Sequence, residues 1–164
     1  GYRVAELDWP ELVEIHGMRE LLEEEALRDA CSAIRDEDLA AMAELEHRMA
    51  ESAAAGDMAS WVEDHRRFHF LLFDAGSGEY LSRILTQLWN RADVYRSRYL
   101  RTTVGREVAA QQHSALLSAA KSRDTDELLS VMSAHRRATL DSLRSEIDSD
   151  PVAVPGPEQQ LGDT

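Results

Sequence analysis

The sequence predicts an all-α protein, an antiparallel bundle of six helices, and three observations carry that reading. No proline interrupts the chain between Pro10 and Ile147. Apolar residues recur there at three- and four-residue spacing, and strand-like alternation is absent. Ala, Leu, Glu and Arg, all good helix formers, dominate the same stretch.

The elements follow in order. Pro10 suits the first turn of a helix that starts after Asp8 or Trp9 and runs over 9–33. "IRDEDL" (34–39) offers Asp36 or Asp38 as the N-cap of a second helix over 37–55, which Gly56 stops. A third helix spans 58–75 and ends in the turn "DAGSGEY"; a fourth spans 79–102 and ends near "TTVGRE". The fifth covers 106–122, and Asp124 or Thr125 caps the sixth, over 125–147. Short connections make the bundle antiparallel. Pro151, Pro155 and Pro157 lie in residues 149–164, a segment that reads as a disordered acidic tail.

Composition narrows the function. With 31 acidic against 18 basic residues the formal net charge is −13, so this chain is a poor partner for nucleic-acid phosphates. Its apolar runs are too short to span a membrane. The single Cys31 cannot form an internal disulfide, which suits a reducing, cytoplasmic setting. Neither Cys31 nor Ser114 nor Ser118 belongs to a recognisable nucleophile–base arrangement, and there is no Gly-rich phosphate loop.

The histidines stand out. His65 and His69 are four residues apart and share a helix face with Val62, Leu72 and Phe73, so they point inward. His113 is one turn from Ala109 and from Leu116 and Leu117; His135 follows Leu128 and Met132 on an apolar stripe. Four imidazoles thus approach one core from three helices. They are either hydrogen-bonded core histidines or ligands of a divalent metal, for which neutral imidazole is the commonest protein ligand. His16 and His47 have charged neighbours and read as surface residues. Arg19 and Glu23 read as a surface i,i+4 ion pair, and Arg91, Arg96, Arg98 and Arg101 as a basic stretch on the fourth helix.

Three segments resemble a known family. "RELLEEEALRDA" (19–30) resembles its Arg-x-x-Leu-Glu-x-x-Ala opening helix, and "DHRRFHFLLFDAGSGEYL" (64–81) its Phe-His segment and Tyr-Leu turn. "QHSALLSAAKSRDTDELLSVMSAH" (112–135) resembles its two-histidine segment. The family is the FCD effector-binding domain of GntR-type bacterial transcription regulators, FadR subfamily.

That resemblance implies six to seven helices around a central ligand and metal cavity, a homodimer, and a divalent metal that binds a small carboxylate effector. His69, His113 and His135 match the family's three histidines. Its acidic ligand usually lies four residues before the first of them, where this chain has His65. Asp64, one residue off and so turned by about 100° on a helix, is the reserve. The expectation is therefore a four-histidine site that favours Zn or Ni. Arg19 matches an effector-binding arginine, and Arg91 is a second candidate.

The resemblance also divides the chain. Residues 1–8 resemble the end of a wing strand and its linker, 9–148 the effector domain, and 149–164 remain the tail. DNA contact would then belong to an N-terminal winged helix-turn-helix domain outside this chain. Two rival readings use the same histidines: a helical metal-dependent hydrolase or oxygenase with Asp64 or Glu63 as base, and an interaction module whose histidines are structural.

Overall fold

The computed structural model describes residues 9–99 and 103–149. It contains α1 (Trp9–Ala33), α2 (Asp36–Ala55), α3 (Met58–Gly76), α4 (Glu79–Tyr99), α5 (Thr103–Ser122) and α6 (Thr125–Ser149). No strand occurs among the described residues. The expected linker (1–8) lies outside them, as does the expected tail apart from Ser149, which closes α6.

The helix ends are set by local chemistry. Gly56 ends α2 in the left-handed region, with φ 72°, and Asp57 N–H donates to Ser52 O at 2.9 Å. Asp57 then caps α3, its Oδ1 accepting from Ser60 N–H at 3.1 Å. At the start of α2 the cap position falls on Arg35, not on Asp36 or Asp38. Asp38 reaches back instead, accepting from Arg35 N–H at 3.3 Å and from its guanidinium at 2.9 Å. Asp124 caps α6 through Glu127 N–H at 2.9 Å.

Only α2–α3 and α5–α6 pack extensively as chain neighbours. The other main contacts join α1 to α3, α4 and α6, α2 to α5, and α4 to α6. This interleaving brings α3, α5 and α6 to one interior. Leu27, Phe68, Leu72, Phe73, Leu116 and Leu128 have no exposed surface there. Burying each such side chain contributes roughly 1.5–3 kcal/mol. Gly76 lets α3 approach α1 closely: a Cβ at Gly76 would lie 2.6 Å from Ala30 N.

Candidate metal centre

His65 and His69 on α3, His113 on α5 and His135 on α6 converge inside the bundle. They are 3%, 0%, 1% and 7% exposed, so all four rings have left bulk water. One ring nitrogen from each lies within 4.8 Å of all the others. His69 Nε2 and His113 Nε2 are 3.3 Å apart.

These residues fit a metal. Four buried imidazole nitrogens facing one point are four lone pairs or N–H groups competing for the same space. A cation shared among them removes that conflict. Zn–N bonds of about 2.0–2.1 Å separate tetrahedral ligand nitrogens by about 3.3–3.4 Å. The His69–His113 distance already meets that value, and the other separations lie within 4.8 Å. His135 Nδ1 is 2.7 Å from Gln112 Oε1. With the proton on Nδ1, Gln112 accepts this hydrogen bond and His135 Nε2 is left to face the centre.

Asp64 is turned elsewhere. It is 1% exposed, and its Oδ1 lies 2.8 Å from Arg48 Nη2 of α2. The pair is outside hydrogen-bonding alignment, so the contact is electrostatic. His65 therefore supplies the fourth converging ring, and Asp64 is not in the group.

Arg19 and Glu23 are not the surface pair expected from their spacing. Both are buried, with Arg19 Nε donating to Glu23 Oε1 at 2.8 Å. The same oxygen accepts from Trp89 Nε1–H at 2.8 Å, and Oε2 accepts from Arg136 Nη1 at 3.1 Å. The Arg19 guanidinium lies 4.3 Å above the Trp89 ring, whose centroid is 5.1 Å from that of His69. One indole thus separates the arginine from the histidines. Among the described residues, neither terminal nitrogen of Arg19 has a hydrogen-bond partner. Arg91 stands apart, its half-exposed guanidinium donating to Glu11 at 2.6 Å. The side chains of Arg96, Arg98 and Arg101 lie outside the described residues.

His47 is exposed beside Glu51, 3.3 Å away, as its neighbours suggested. His16 corrects the surface reading: it is 7% exposed, in a cleft of about 200 Å³ between α1 and α6 with Arg136 and Leu140. Cys31 is buried, and burial pushes its thiol above the ordinary value. Sequence reasoning missed Trp61, Trp89, Gln112 and Arg136. Trp61 alone carried a readable signal, since residues 61, 65 and 69 form one i,i+4 stripe.

A six-helix bundle with a buried histidine cluster defines the class of protein: an all-α domain with a candidate metal site at its core. The FCD domain family matches residues 14–138, and the chain belongs to that family. Two solved structures share the fold. Escherichia coli McbR/YncC superposes with a TM-score of 0.73 at 22% identity, over 84% of this chain and 66% of that one. A transcriptional regulator (GntR family member) from Pseudomonas syringae pv. tomato str. DC3000 gives 0.70 at 22% identity, over 89% and 60%. This chain therefore spans about two thirds or less of the length of either structure. No curated protein sequence matches it. No helix among the described residues is long and apolar enough to cross a membrane.

Proposed function

We propose that this chain is the ligand-sensing and dimerisation domain of a cytoplasmic bacterial transcription regulator of the GntR family, FadR subfamily. In this reading His65, His69, His113 and His135 hold a divalent metal, Zn or Ni, in a central cavity. The observation that carries it is the meeting of four buried imidazole nitrogens, within 4.8 Å of one another, inside an FCD domain. Imidazole suits Zn and Ni better than the harder Mg or Mn.

A bound divalent ion that expands beyond the four imidazoles to a fifth coordination position would accept an anionic oxygen there. Four neutral imidazoles leave its double charge uncompensated, so a small carboxylate is the effector this centre favours. Arg19 supports the same reading, because its two terminal nitrogens form a fork suited to a carboxylate. Glu23 and Trp89 hold that fork one aromatic ring from the histidines. Arg91, paired with Glu11 outside the cluster, is the secondary effector candidate.

The domain senses and does not turn its ligand over. Asp64, one base an enzymatic reading would use, is committed to Arg48, and the other, Glu63, is exposed. In the full-length dimer the effector would favour one helix arrangement and so shift the spacing of the N-terminal DNA-binding heads.

Elemental analysis of natively purified protein, with thermal-shift screening of small carboxylates, tests the proposal. About one equivalent of metal is expected, with stabilisation of roughly 2.7 kcal/mol at a metal concentration 100-fold above Kd. A carboxylate that stabilises only the metal-loaded form supports the effector site. Protein that neither retains nor responds to Zn or Ni would sink the metal reading and leave the histidines structural.

A further inference from the structure

The His65 ring is held by two indoles. Trp61, one turn earlier on α3, lies face to face with it, ring centroids 4.7 Å apart and planes 16° from parallel. Trp89 of α4 is 5.7 Å away and tilted by 36°. Trp61 is 3% and Trp89 1% exposed, so neither indole can leave without opening the core. Of the four histidines, His65 alone has a face-stacked indole among the described residues; His113 meets Trp61 at 6.1 Å and 42°.

From this geometry we infer that Trp61 is a positioning residue for metal binding, fixing the plane of His65 so that its ring nitrogen faces the other three. The inference rests on the proposed metal site. An imidazole on Cβ has a soft, roughly two-fold χ2 torsion, so burial alone does not choose its plane. A parallel indole 4.7 Å away does, because turning His65 about χ2 would drive its edge into the Trp61 face. Metal coordination draws electron density from the ring, and the negative π-face of indole favours the partial positive charge that results. Trp61 therefore supports His65 both as a steric stop and electrostatically. Gln112 supports His135 differently, by a hydrogen bond at 2.7 Å.

The test uses the whole chain and the metals alone as probes: Zn(II) and Ni(II) affinities by chelator competition, and the visible spectrum of the Co(II) form. Trp61→Leu keeps apolar bulk but removes the stacking face, whereas Trp61→Phe keeps a ring. Losing an orienting residue around a ligand costs about 10–100-fold in metal affinity. Trp61→Leu is expected to lose at least about tenfold and to alter the Co(II) bands; Trp61→Phe should stay within about threefold of the parent. In a His65→Ala background the same Trp61→Leu change should cost nothing further.

Parent-like affinity and Co(II) bands in Trp61→Leu overturn the inference, as does an equal loss in the His65→Ala background. A parent protein that binds none of the three metals overturns the underlying metal reading instead, and the two failures are distinct. If Trp61→Leu does not fold, tryptophan emission decides. In a Trp9→Phe, Trp89→Phe protein, one equivalent of Ni(II) should quench Trp61 while Zn(II) does not. Unquenched emission on Ni(II) binding overturns the stacking.

Discussion

Arg136 and Glu23 meet in the interior of the bundle, Arg136 Nη1 of α6 donating to Glu23 Oε2 of α1 at 3.1 Å. Glu23 is fully buried, and its other oxygen takes two further hydrogen bonds, from Arg19 and from Trp89. One carboxylate thus bonds two buried guanidiniums and ties α1 to α4 and α6, with Glu24 adding a second contact to Arg136 at 3.4 Å. Glu23→Ala would leave the buried Arg19 without its carboxylate while Arg136 keeps Glu24 and Glu20, a loss of up to about 3–5 kcal/mol for a broken buried charge pair. Glu23→Gln keeps the shape and one acceptor oxygen and should cost distinctly less. Urea unfolding of the three proteins measures both, and equal stabilities would remove Glu23 from its role in the core.

The proposed fourth metal ligand gives a sharper contrast. His65→Ala should lower Zn(II) affinity by more than about tenfold, since losing even a supporting residue costs that much. Asp64→Ala should leave affinity within about threefold, because Asp64 faces Arg48 rather than the rings. Asp64→Ala should cost little stability, because Arg48 is exposed and stays solvated without its partner. Chelator competition and thermal melts on the two variants separate these roles; a reversed order of metal affinities would restore Asp64 as ligand.

Much of this was legible in the sequence, for identifiable reasons. An uninterrupted 3.6-residue pattern with Gly56 and the acidic caps as punctuation places helices well. The i,i+4 pair His65/His69, with His113 and His135 on apolar stripes, shows which imidazoles turn inward. What the sequence hid depends on distant partners. Arg19 and Glu23 look like any solvent-facing pair until Trp89, 66 residues from Glu23, and Arg136, 113 residues away, close over them. His16 misled in the same way: its neighbours in sequence are charged, yet its neighbours in space are α6 residues. Burial of a polar side chain is decided by tertiary packing, which no local window contains.

Gly76 offers a test of that packing. Replacing glycine by alanine near a helix end ordinarily stabilises by about 0.4–1 kcal/mol. Here the added methyl would meet the backbone of α1, with Ala30 N at 2.6 Å, Ala30 Cα at 3.1 Å and the Ala26 carbonyl nearer still. Backbone cannot rotate aside as a side chain can. Gly76→Ala should therefore destabilise by about 1–3 kcal/mol, the usual cost of overpacking. A rise in the midpoint of chemical unfolding would show that α1 and α3 can separate freely.

Arg123 combines a backbone cost with a side-chain gain. It sits in the left-handed region, φ 56°, after α5, and its Nη1 donates to Cys31 O at 2.8 Å in the last turn of α1 and to Ile34 O at 2.9 Å just past it. The side chain thereby joins the α5–α6 turn to the α1–α2 turn. Arg123→Ala loses the bridge and keeps the strained backbone, whereas Arg123→Gly loses the bridge but relieves the strain. Arg123→Ala should accordingly be the less stable of the two by about 1 kcal/mol. Both should fall below the parent if the bridge outweighs the strain, and a parent less stable than Arg123→Gly would reverse that order.

The cap of α3 supplies a pH dependence whose sign is fixed by the structure. The Ser60 hydroxyl donates to Asp57 Oδ2 at 2.7 Å and the Ser60 backbone N–H to Oδ1 at 3.1 Å. These bonds hold the Asp57 carboxyl below its ordinary value of 3.8. A carboxyl that binds its proton more weakly in the folded chain than in the unfolded one adds stability above the ordinary carboxylate range. That contribution is lost as pH falls through the folded-state value. Asp57→Ala should melt below the parent near neutrality, and the gap should narrow as the solution is taken below the ordinary carboxylate range. Asp57→Asn retains an oxygen acceptor for Ser60 N–H and should lie between the two near neutrality. Thermal melts of the three proteins across that range provide the measurement. A gap between Asp57→Ala and the parent that stays constant into strong acid would show that the ionised carboxylate is not what caps the helix.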